Sequence, residues 1–409
     1  MKIIYLHQYF NTPSMKGGTR SYEMAKRMVR KGHEVHMITS YRDCDAEAKI
    51  KSWRTESIDG MNVHWLPVPY NNKMSYWARL KAFLAFAMKA GKKAIEVKGD
   101  IIFATSTPLT IAIPAVKAKR KLKIPLVFEV RDLWPELPIA MGALKSPVTK
   151  FLAKRLEKYA YFNSEHVVAL SPGMAKGVEK VGYSRERIST IPNSSDLELF
   201  NVNDNCGQEF IQRRPWLAGG PLILYAGTLG HINDVSWLAS LAEKVNRLEP
   251  NIRFLVIGEG VDEKKLYETA ESLGVLNKNF FIEKQIPKSQ IPNALNAATV
   301  CSSLFLPIEE MWANSANKFF DALAAGKPVM INYKGWQKEI IEEHNVGIYL
   351  DYYCLEGAAR KLISLATNLE ECERFGDRAR ELAEQKFSRD KLASDLIGVI
   401  EEVGDRANV

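Results

Sequence analysis

Short apolar runs alternate with helical patterns along the chain. The first run, Lys2–His7, is followed by a polar loop that contains glycine and by a helix predicted over Ser21–Lys31. Apolar runs separated by helices are typical of parallel strands that are covered on both faces. The same pattern predicts further strands at Glu34–Ser40, Met61–Val68, Asp100–Ser106, Pro125–Asp132, His166–Ser171 and Arg187–Asn193.

The alternation weakens over Leu199–Gly220, which we interpret as a linker, and then restarts. We therefore predict an α/β fold with two Rossmann-like, doubly wound parallel-sheet domains, 1–200 and 201–386. The last segment, 387–409, has helical periodicity over Phe387–Val403, and we expect it to pack back on the first domain. Because such sheets bind ligands outside the carboxyl ends of their strands, two facing sheets would form a cleft. The second set of strands is predicted at Leu222–Gly227, Ile252–Gly258, Asn279–Lys284, Thr299–Leu306, Lys327–Asn332 and Gly347–Asp351.

Composition places the chain among ordinary globular proteins. Of its 409 residues, 46% are hydrophobic and 25% charged, which excludes disordered and fibrous classes. Five widely spaced cysteines show neither disulfide nor zinc-site spacing and favour a reducing, cytoplasmic compartment. The N-terminus does not resemble a signal peptide, and no run reaches the roughly 20 apolar residues that span a bilayer.

Charge is distributed unevenly. Residues 1–200 contain 33 Lys and Arg against 18 Asp and Glu, and the remainder contains 23 against 30, for a net charge of +8. A basic half joined to an acidic half predicts domains with different partners, nucleic acid or an anionic membrane for the basic one. Nothing in the chain resembles a nucleic-acid-binding module, which leaves the membrane surface.

In the first half, candidate binding residues follow predicted strands. Gly17 and Gly18 precede a helix whose N-terminus would favour an anion, although an ordinary flexible loop explains them equally well. Arg131 and Asp132 lie at the carboxyl end of the predicted strand Pro125–Asp132, where such sheets bind ligands, and Trp134 offers a flat surface beside them. A local surface ion pair between Arg131 and Asp132 is the alternative. His7 ends the first strand and is a candidate for ligand contact, although a lone histidine more often serves packing.

The second half repeats this arrangement. The segments Ala226–Gly230 and Ile257–Gly260 each place glycines at the end of a strand. They could bind the phosphates of a nucleotide, or they could be ordinary turns. In the stretch Glu309–Val329, Asn314 or Ser315 would cap a helix that ends at Gly326. Lys318 in the first turn suits a diphosphate, and Asp321 on the same face suits a ribose. A solvated Lys–Asp pair on an ordinary helix is the alternative.

Two other features each have a simpler explanation. Asp43–Cys44–Asp45 has the spacing of a metal-binding acidic pair, but it lies in a polar loop where solvated acids are expected. Over Tyr76–Gly91 a helical wheel gathers an apolar arc opposite a basic side, with Phe86 out of place. Such a helix suits an anionic membrane interface, and a core helix with a solvated face is the alternative. The arc comprises Tyr76, Trp77, Leu80, Phe83, Leu84, Ala87 and Met88, and the basic side Arg79, Lys81, Lys89, Lys92 and Lys93.

Taken together, these motifs resemble family 4 glycosyltransferases. GGTRSYEMAKRMVRKGHEVHMITS, TSTPL, FEVRDLWPE, ALSPGM and IPNSSDLELF resemble the amino-terminal half, and YAGTLG, VIGEG, IPNALNAATV and NKFFDALAAGKPV the carboxyl-terminal half. Within the family, the chain is most similar to bacterial transferases of the amino-sugar or fucosamine type that build surface polysaccharides. The resemblance implies the GT-B fold, with acceptor on the first domain and nucleotide-sugar on the second, and a metal-independent transfer that retains anomeric configuration, without a cofactor.

The chain departs from the family pattern at several positions. The first of two family glutamates is replaced by Ala313 and the second by Asp321, and a family arginine and lysine are replaced by Thr228 and Asn233. Diphosphate binding would then depend on Lys318, helix N-termini and Arg20.

The resemblance, with these departures, gives each candidate residue an expected role. We expect Lys318 and Asp132 to be catalytic, Asp132 as base or orienter, and His7, Arg131 and Trp134 to contact acceptor or sugar. We expect the acceptor to be a polyprenyl-diphosphate-linked saccharide at the inner face of the cytoplasmic membrane, to which the protein binds peripherally. A nucleotide-sugar epimerase and a non-catalytic nucleotide- or sugar-binding regulator are the alternatives. The expected donor-binding residues are Gly17, Gly18, Arg20, Thr228, Gly258, Gly260, Lys284, Gln285, Asn314, Ser315, Asn317 and Asp321.

Overall fold

The structure is a computed structural model that describes residues 1–15, 17–41, 52–68, 74, 76–202 and 205–406, with residues 76 and 77 described by their backbone alone. The acidic pair at 43 and 45 lies outside these residues. The chain divides into two compact units: residues 1–192 with 390–409, and residues 193–389. The sequence predicts these divisions at 200 and 386.

Unit 1 contains an eight-stranded sheet whose strand order is β3-β4-β2-β1-β5-β6-β7-β8. All neighbours are parallel except β3 and β4, which form an antiparallel hairpin at the edge. Strand β3 was not predicted, because its alternating exposed polar residues lack an apolar run. The strands are β1 Lys2–Leu6, β2 Glu34–Tyr41, β3 Arg54–Ile58, β4 Met61–Pro67, β5 Ile101–Thr105, β6 Leu126–Val130, β7 His166–Ala169 and β8 Ile188–Thr190.

Helices cover both faces of this sheet. The connections β4→β5, β5→β6 and β6→β7 all step in one direction along the sheet, so right-handed crossovers place their helices on one face. The β1→β2 connection steps the other way and places its helix on the opposite face. The helices are α1 Arg20–Arg30, α2 Tyr76–Val97, α3 Ala112–Leu122, α4 Glu136–Ala140, α5 Pro147–Phe162 and α6 Pro172–Lys180.

Unit 2 contains a six-stranded, wholly parallel sheet of order β11-β10-β9-β12-β13-β14. The prediction of two doubly wound parallel sheets is therefore confirmed. The strands are β9 Leu222–Ala226, β10 Arg253–Ile257, β11 Phe280–Glu283, β12 Val300–Ser303, β13 Val329–Ile331 and β14 Gly347–Tyr349. The helices are α7 Cys206–Gln212, α8 Ser236–Leu248, α9 Glu263–Ser272, α10 Ile291–Ala297, α11 Asn317–Ala324, α12 Trp336–His344, α13 Leu355–Ala366 and α14 Leu369–Lys386.

Two expectations about helices need correction. The segment 199–220 is not a plain linker, because it contains α7, whose Gly207 and Phe210 are buried. The wheel for α2 was also wrong: Phe86 is buried at 1% exposure, whereas Leu84 and Met88 are exposed at 42% and 63%. The buried side of α2 consists largely of alanines, of which the predicted arc includes only Ala87.

The last helix, α15 Arg389–Arg406, belongs to unit 1 from Asp390 onward. Its Asp390 accepts from Arg27 Nε at 2.5 Å, and its Glu401 carboxylate lies 3.1 Å from His33 Nε2. Both partners belong to α1 or the turn after it, so α15 packs on the α1 side of the sheet. Within the described part of the chain, no helix is long and apolar enough to cross a bilayer.

Candidate active site

In unit 2, the candidate site lies where the strand order reverses, between β9 and β12. Open parallel sheets bind ligands outside the carboxyl ends of the strands at such a switch point. The loop after β9 contains Thr228, and the loop after β12 leads into α11 with Lys318. The loop after β9 contacts α11, because a Cβ atom added at Gly227 would lie 3.2 Å from Lys318 Cε.

Lys318 has polar and aromatic neighbours. Its Nζ donates to the Tyr225 hydroxyl at 2.9 Å and lies 4.5 Å from the centroid of that ring. With the Asn233 amide oriented so that its nitrogen donates to the Thr228 carbonyl, the amide oxygen accepts from Lys318 Nζ at 3.2 Å. No carboxylate in the described part of the chain forms an ion pair with Lys318, and burial lowers its pKa to about 7. Lys318 is therefore a partly buried amine that has no carboxylate partner among the described residues and is charged below about pH 7.

This position of Lys318 bears on the departure from the family pattern. The resemblance expects basic side chains at Thr228 and Asn233, and both residues lie in the loop that Lys318 reaches from α11. One lysine from another helix therefore supplies positive charge to the loop where two basic residues are missing. Tyr225 and Phe305, which surround the ammonium, were not singled out because both stand in apolar runs that predict core.

Asp321 lies one turn beyond Lys318, and both side chains line a narrow crevice of about 20 Å³. Its Oδ1 accepts a short hydrogen bond from the Ser195 hydroxyl. Burial raises the pKa of Asp321, whereas the Ser195 hydrogen bond, Lys288 and Arg389 act in the opposite direction. The carboxylate predicted to bind a ribose is therefore engaged by a serine hydroxyl in this structure.

The start of α11 differs from the predicted cap. The helix begins at Asn317, which is exposed. Ala316 occupies the N-cap position and has no side-chain group that could cap the helix. Ser315 does not cap it: its Oγ accepts from the Asn193 backbone N–H at 3.0 Å, and its carbonyl accepts from the Asn193 amide at 2.6 Å. Asn314 Oδ1 accepts from the Ala316 N–H at 3.1 Å, one residue before the helix.

The glycines of the second domain have a packing role. A Cβ atom at Gly258 would lie 2.0 Å from the Gly227 carbonyl oxygen, and one at Gly260 would lie 2.2 Å from the Leu229 carbonyl oxygen. The loops after β9 and β10 therefore pack too closely for any side chain at these positions. Lys284 and Gln285 follow β11 at the same edge of the sheet, and both are exposed.

Unit 1 has a second polar cluster at its own switch point, between β1 and β5. His7 Nε2 lies 3.3 Å from Arg131 Nη1, and the Arg131 backbone N–H donates to Ser106 Oγ at 3.0 Å. Burial raises the pKa of Asp132 to about 6, while Arg131 and a hydrogen bond with Thr107 act in the opposite direction. The structure thus brings His7, Arg131 and Asp132 to one edge of the sheet. Trp134, partly exposed, follows them.

Arg20 occupies a different environment from the one predicted. It is 5% exposed, and its guanidinium donates to the fully buried Glu129 at 2.9 and 3.0 Å. It also donates to the carbonyls of Ile191 and Pro192, at 3.0 and 2.6 Å. These bonds give Arg20 a structural role inside unit 1, so we leave it out of the proposed diphosphate site.

The loop of Gly17 and Gly18 has a conformation that needs glycine. Gly17 has a φ of +121°, and a Cβ atom there would lie 2.7 Å from Asn11 Nδ2. The same amide donates to the Gly18 carbonyl at 3.3 Å. Gly17 and Gly18 are exposed in unit 1, and their backbone is accessible.

A cavity of about 500 Å³ lies elsewhere in unit 1, beside the β3–β4 hairpin. Aromatic side chains line it, and its polar groups bond to one another: Trp65 Nε1 donates to Glu56 at 2.7 Å, and Tyr22 donates to Asp59. It lies between residues 12–15 of the loop after β1 and the edge hairpin, on the other side of β1 from Arg131 and Asp132 at the end of β6. Because its polar groups already bond to one another, we place the candidate site at the switch points. Among the described residues, no group of three or more His, Cys, Asp or Glu side chains is arranged to bind a metal ion.

Comparison with known proteins agrees with this geometry. A profile described as a glycosyl transferase 4-like domain matches residues 17–194, and one described as glycosyl transferases group 1 matches residues 208–382. The chain belongs to this two-domain glycosyltransferase family, and its two sheets are those of the GT-B fold.

Individual relatives are 17–26% identical to the chain over the aligned residues. The putative colanic acid biosynthesis glycosyl transferase WcaI of Escherichia coli is 24% identical over 342 residues, 80% of this chain and 82% of that protein. Spore coat protein SA of Bacillus subtilis is 26% identical over 233 residues, 54% of this chain but only 60% of that protein. The crystal structure of Anabaena Alr3699/HepE with UDP and glucose superposes with a TM-score of 0.74 at 17% identity, covering 98% of this chain and all of that one.

Proposed function

We propose that the protein transfers a sugar from a nucleoside-diphosphate donor, a UDP- or GDP-sugar, to a lipid-linked saccharide during the synthesis of a bacterial surface polysaccharide such as O-antigen, capsule or exopolysaccharide. The observation that carries the proposal is the position of Lys318 at the switch point of unit 2, where it forms no ion pair with any carboxylate of the described residues. The similarity to WcaI, a putative colanic acid biosynthesis glycosyl transferase, supports a role in polysaccharide synthesis, and the complex of HepE with UDP and glucose supports the donor class.

Lys318 would act on the leaving group. When the bond between the sugar C1 and the diphosphate oxygen breaks, negative charge grows on the diphosphate, and a preorganised, desolvated cation stabilises that charge. Backbone N–H groups at the start of α11 and near Thr228 add to this effect. In this proposal the positive charge comes from the protein, and no metal ion or other cofactor is required.

Asp321 would bind the ribose hydroxyls of the donor. In this proposal the hydrogen bond that Asp321 Oδ1 accepts from Ser195 is exchanged for hydrogen bonds from the ribose hydroxyls. Lys284 and Gln285, both exposed, lie at the same edge of the sheet as the glycine loop after β10, and these residues would contact the base. Gly17 and Gly18 remain candidates for contact with the diphosphate.

Asp132 would accept the proton of the acceptor hydroxyl as the new bond to C1 forms. A carboxylate with a pKa of about 6 is ionised at neutral pH and is more basic than an ordinary aspartate. His7, Arg131 and Trp134 would orient the acceptor or the sugar. In this proposal the anomeric configuration is retained, as the family resemblance implies.

We further infer that the protein works in the cytoplasm, bound peripherally to the inner face of the cytoplasmic membrane, where a polyprenyl-diphosphate-linked acceptor would be found. The basic balance of residues 1–200 supports an anionic surface as partner. The free cysteines of the described residues, Cys206, Cys301, Cys354 and Cys372, suit a reducing compartment.

A thermal-shift panel with UDP, GDP, CDP and dTDP tests the donor class. A nucleotide that binds tenfold more tightly than its competitors should stabilise the protein by about 1.4 kcal/mol more, when all exceed their dissociation constants. Hydrolysis of the corresponding nucleotide-sugars is then measured with the best binder. Nucleotide binding without hydrolysis or transfer of any donor would favour a non-catalytic regulator instead.

A further inference from the structure

An exposed apolar stripe runs along α5, a helix that the structure describes in full. Val148, Phe151 and Leu152 are exposed at 65%, 59% and 58%. Their spacing of three and four residues places them on one side of the helix, opposite the buried Glu157, Ala160 and Tyr161. Three large apolar side chains exposed within two turns are more than the scattered single residues that a folded surface normally carries.

The charged side chains around this stripe have one sign. Lys154, Arg155 and Lys158 are exposed, and the Arg155 guanidinium lies 5.9 Å from the centre of the Phe151 ring. Glu157, the one acidic residue of α5, is buried in the opposite side of the helix. We call Val148, Phe151 and Leu152 with Lys154, Arg155 and Lys158 the α5 outer face.

The first turns of α5 lie near the candidate acceptor site of unit 1. The helix follows β6 and runs back toward the start of β7, so its N-terminal turns lie at the carboxyl edge of the sheet. Arg131 and Asp132 lie at that same edge, directly after β6, and α5 contacts the turn Leu109–Ile111 that follows β5. A surface bound to the outer face would therefore be close to the groups proposed to receive the acceptor.

We propose that the α5 outer face is the membrane-binding surface of the protein and that its partner is an anionic lipid leaflet. Binding to an anionic membrane requires apolar side chains that insert into the membrane interface and basic side chains beside them that contact the lipid headgroups. The α5 outer face has both. This inference rests on the proposed function for its choice of a lipid surface.

Helix α2, which the sequence favoured, is the weaker candidate. Its exposed apolar pair, Leu84 and Met88, lies about 12 Å or more from the start of the helix at 1.5 Å per residue. It also exposes an acid, Glu96. This pair supplies a matched control.

Flotation of the full chain with vesicles tests the assignment. We expect binding to phosphatidylcholine vesicles containing about 30% phosphatidylglycerol and none to phosphatidylcholine alone. The pair Phe151→Ser and Leu152→Ser, and separately the triple change Lys154→Glu, Arg155→Glu and Lys158→Glu, should each reduce binding at least about tenfold. The matched pair Leu84→Ser and Met88→Ser should stay within about twofold of the wild type. Unchanged melting temperatures would establish that the variants are folded.

Three results would overturn the proposal: no binding of the wild type to anionic vesicles, loss of binding in the α2 pair with retention in both α5 variants, or a wild-type dimer in solution that the serine pair dissociates. A parallel assay of nucleotide release from the donor separates this proposal from the proposed function. Vesicle binding without release in any condition would contradict only the function, and release without vesicle binding would contradict only the surface.

Discussion

The ammonium nitrogen of Lys318 lies 2.9 Å from the hydroxyl of Tyr225, on the strand that ends at the switch point of unit 2. The hydroxyl itself donates to the Thr228 carbonyl at 2.8 Å, so the lysine, the tyrosine and the loop after β9 form one connected group. This group positions a cation without neutralising it. A bound diphosphate would supply the negative charge that this group lacks.

Donor binding should therefore draw a proton onto Lys318. The free protein has a Lys318 pKa of about 7, below the ordinary value for lysine, and a bound anion would raise it. Lys318 is charged below about pH 7 and is largely neutral above that pH, so binding of an anion above pH 7 requires the uptake of a proton. Between pH 7 and pH 9, the Kd for UDP should rise by up to about tenfold per pH unit.

Calorimetry in buffers of different ionisation enthalpy measures this proton uptake directly. Lys318→Met should bind UDP weakly and without the pH dependence, whereas Lys264→Met, at a side chain 87% exposed on α9, should behave as the wild type. Equal proton uptake by Lys318→Met and the wild type would assign the titration to another group.

Asp321 and Ser195 should have opposite effects on nucleotide binding. Removing the carboxylate in Asp321→Ala should weaken UDP binding about tenfold or more, because hydrogen bonds to a charged group contribute about 1.5–3 kcal/mol each. Ser195→Ala should tighten it, since the carboxylate no longer has to leave a protein partner. Comparison of UDP with 2′,3′-dideoxy-UDP identifies the contact: the wild type should distinguish them and Asp321→Ala should not. If Asp321→Ala still distinguishes them, another residue binds the ribose.

Turnover should depend on the ionisation of Asp132. With a pKa of about 6, the carboxylate loses its charge as the pH falls through 6, and the rate at saturating donor should fall with it. Asp132→Asn should lower kcat by about 10²–10⁴ and remove this acid limb. The exposed Glu186→Gln serves as control and should leave both unchanged. An Asp132→Asn variant with an intact acid limb would exclude Asp132 as the base.

The glycine at 258 should be required for the stability of the protein. A methyl group at this position would place Cβ 2.0 Å from a backbone oxygen, so Gly258→Ala should lower the free energy of unfolding by about 1–3 kcal/mol or more. Gly398→Ala on α15, where nothing lies within 4 Å, should instead raise it by about 0.5–1 kcal/mol. Urea unfolding of the two variants measures both effects. Weaker UDP binding by Gly258→Ala without loss of stability would favour a direct ligand contact.

Local patterns in the sequence predicted most of the fold because buried parallel strands produce runs that can be recognised without their partners. The strand ends for β9 to β14, for instance, lie within a few residues of the predicted ones. Edge strand β3 was not predicted because its residues are mostly polar and none of them is buried. The buried face of α2 was not predicted correctly, because it consists largely of alanines. Alanines pack closely against α3 but carry little weight on a helical wheel.

The chemistry was less predictable, because it depends on contacts between distant parts of the chain. Arg20 looked available for a phosphate, but its partner Glu129 is 109 residues away. Tyr225 looked like core, although its hydroxyl binds Lys318 across 93 residues. Lys318 and Asp321 could be recognised because both stand in one motif on one helix face.

The most direct test of the account is nucleotide release from a panel of UDP- and GDP-sugars, with and without a polyprenyl-diphosphate-linked saccharide. The account predicts release of nucleotide from one donor, and the acceptor should accelerate it. Release should be reduced about 10²-fold or more in Lys318→Ala, because this variant lacks the positive charge that stabilises the leaving diphosphate. Equal release by Lys318→Ala and the wild type would contradict it, as would a wild type that binds a nucleoside diphosphate but releases none from any donor.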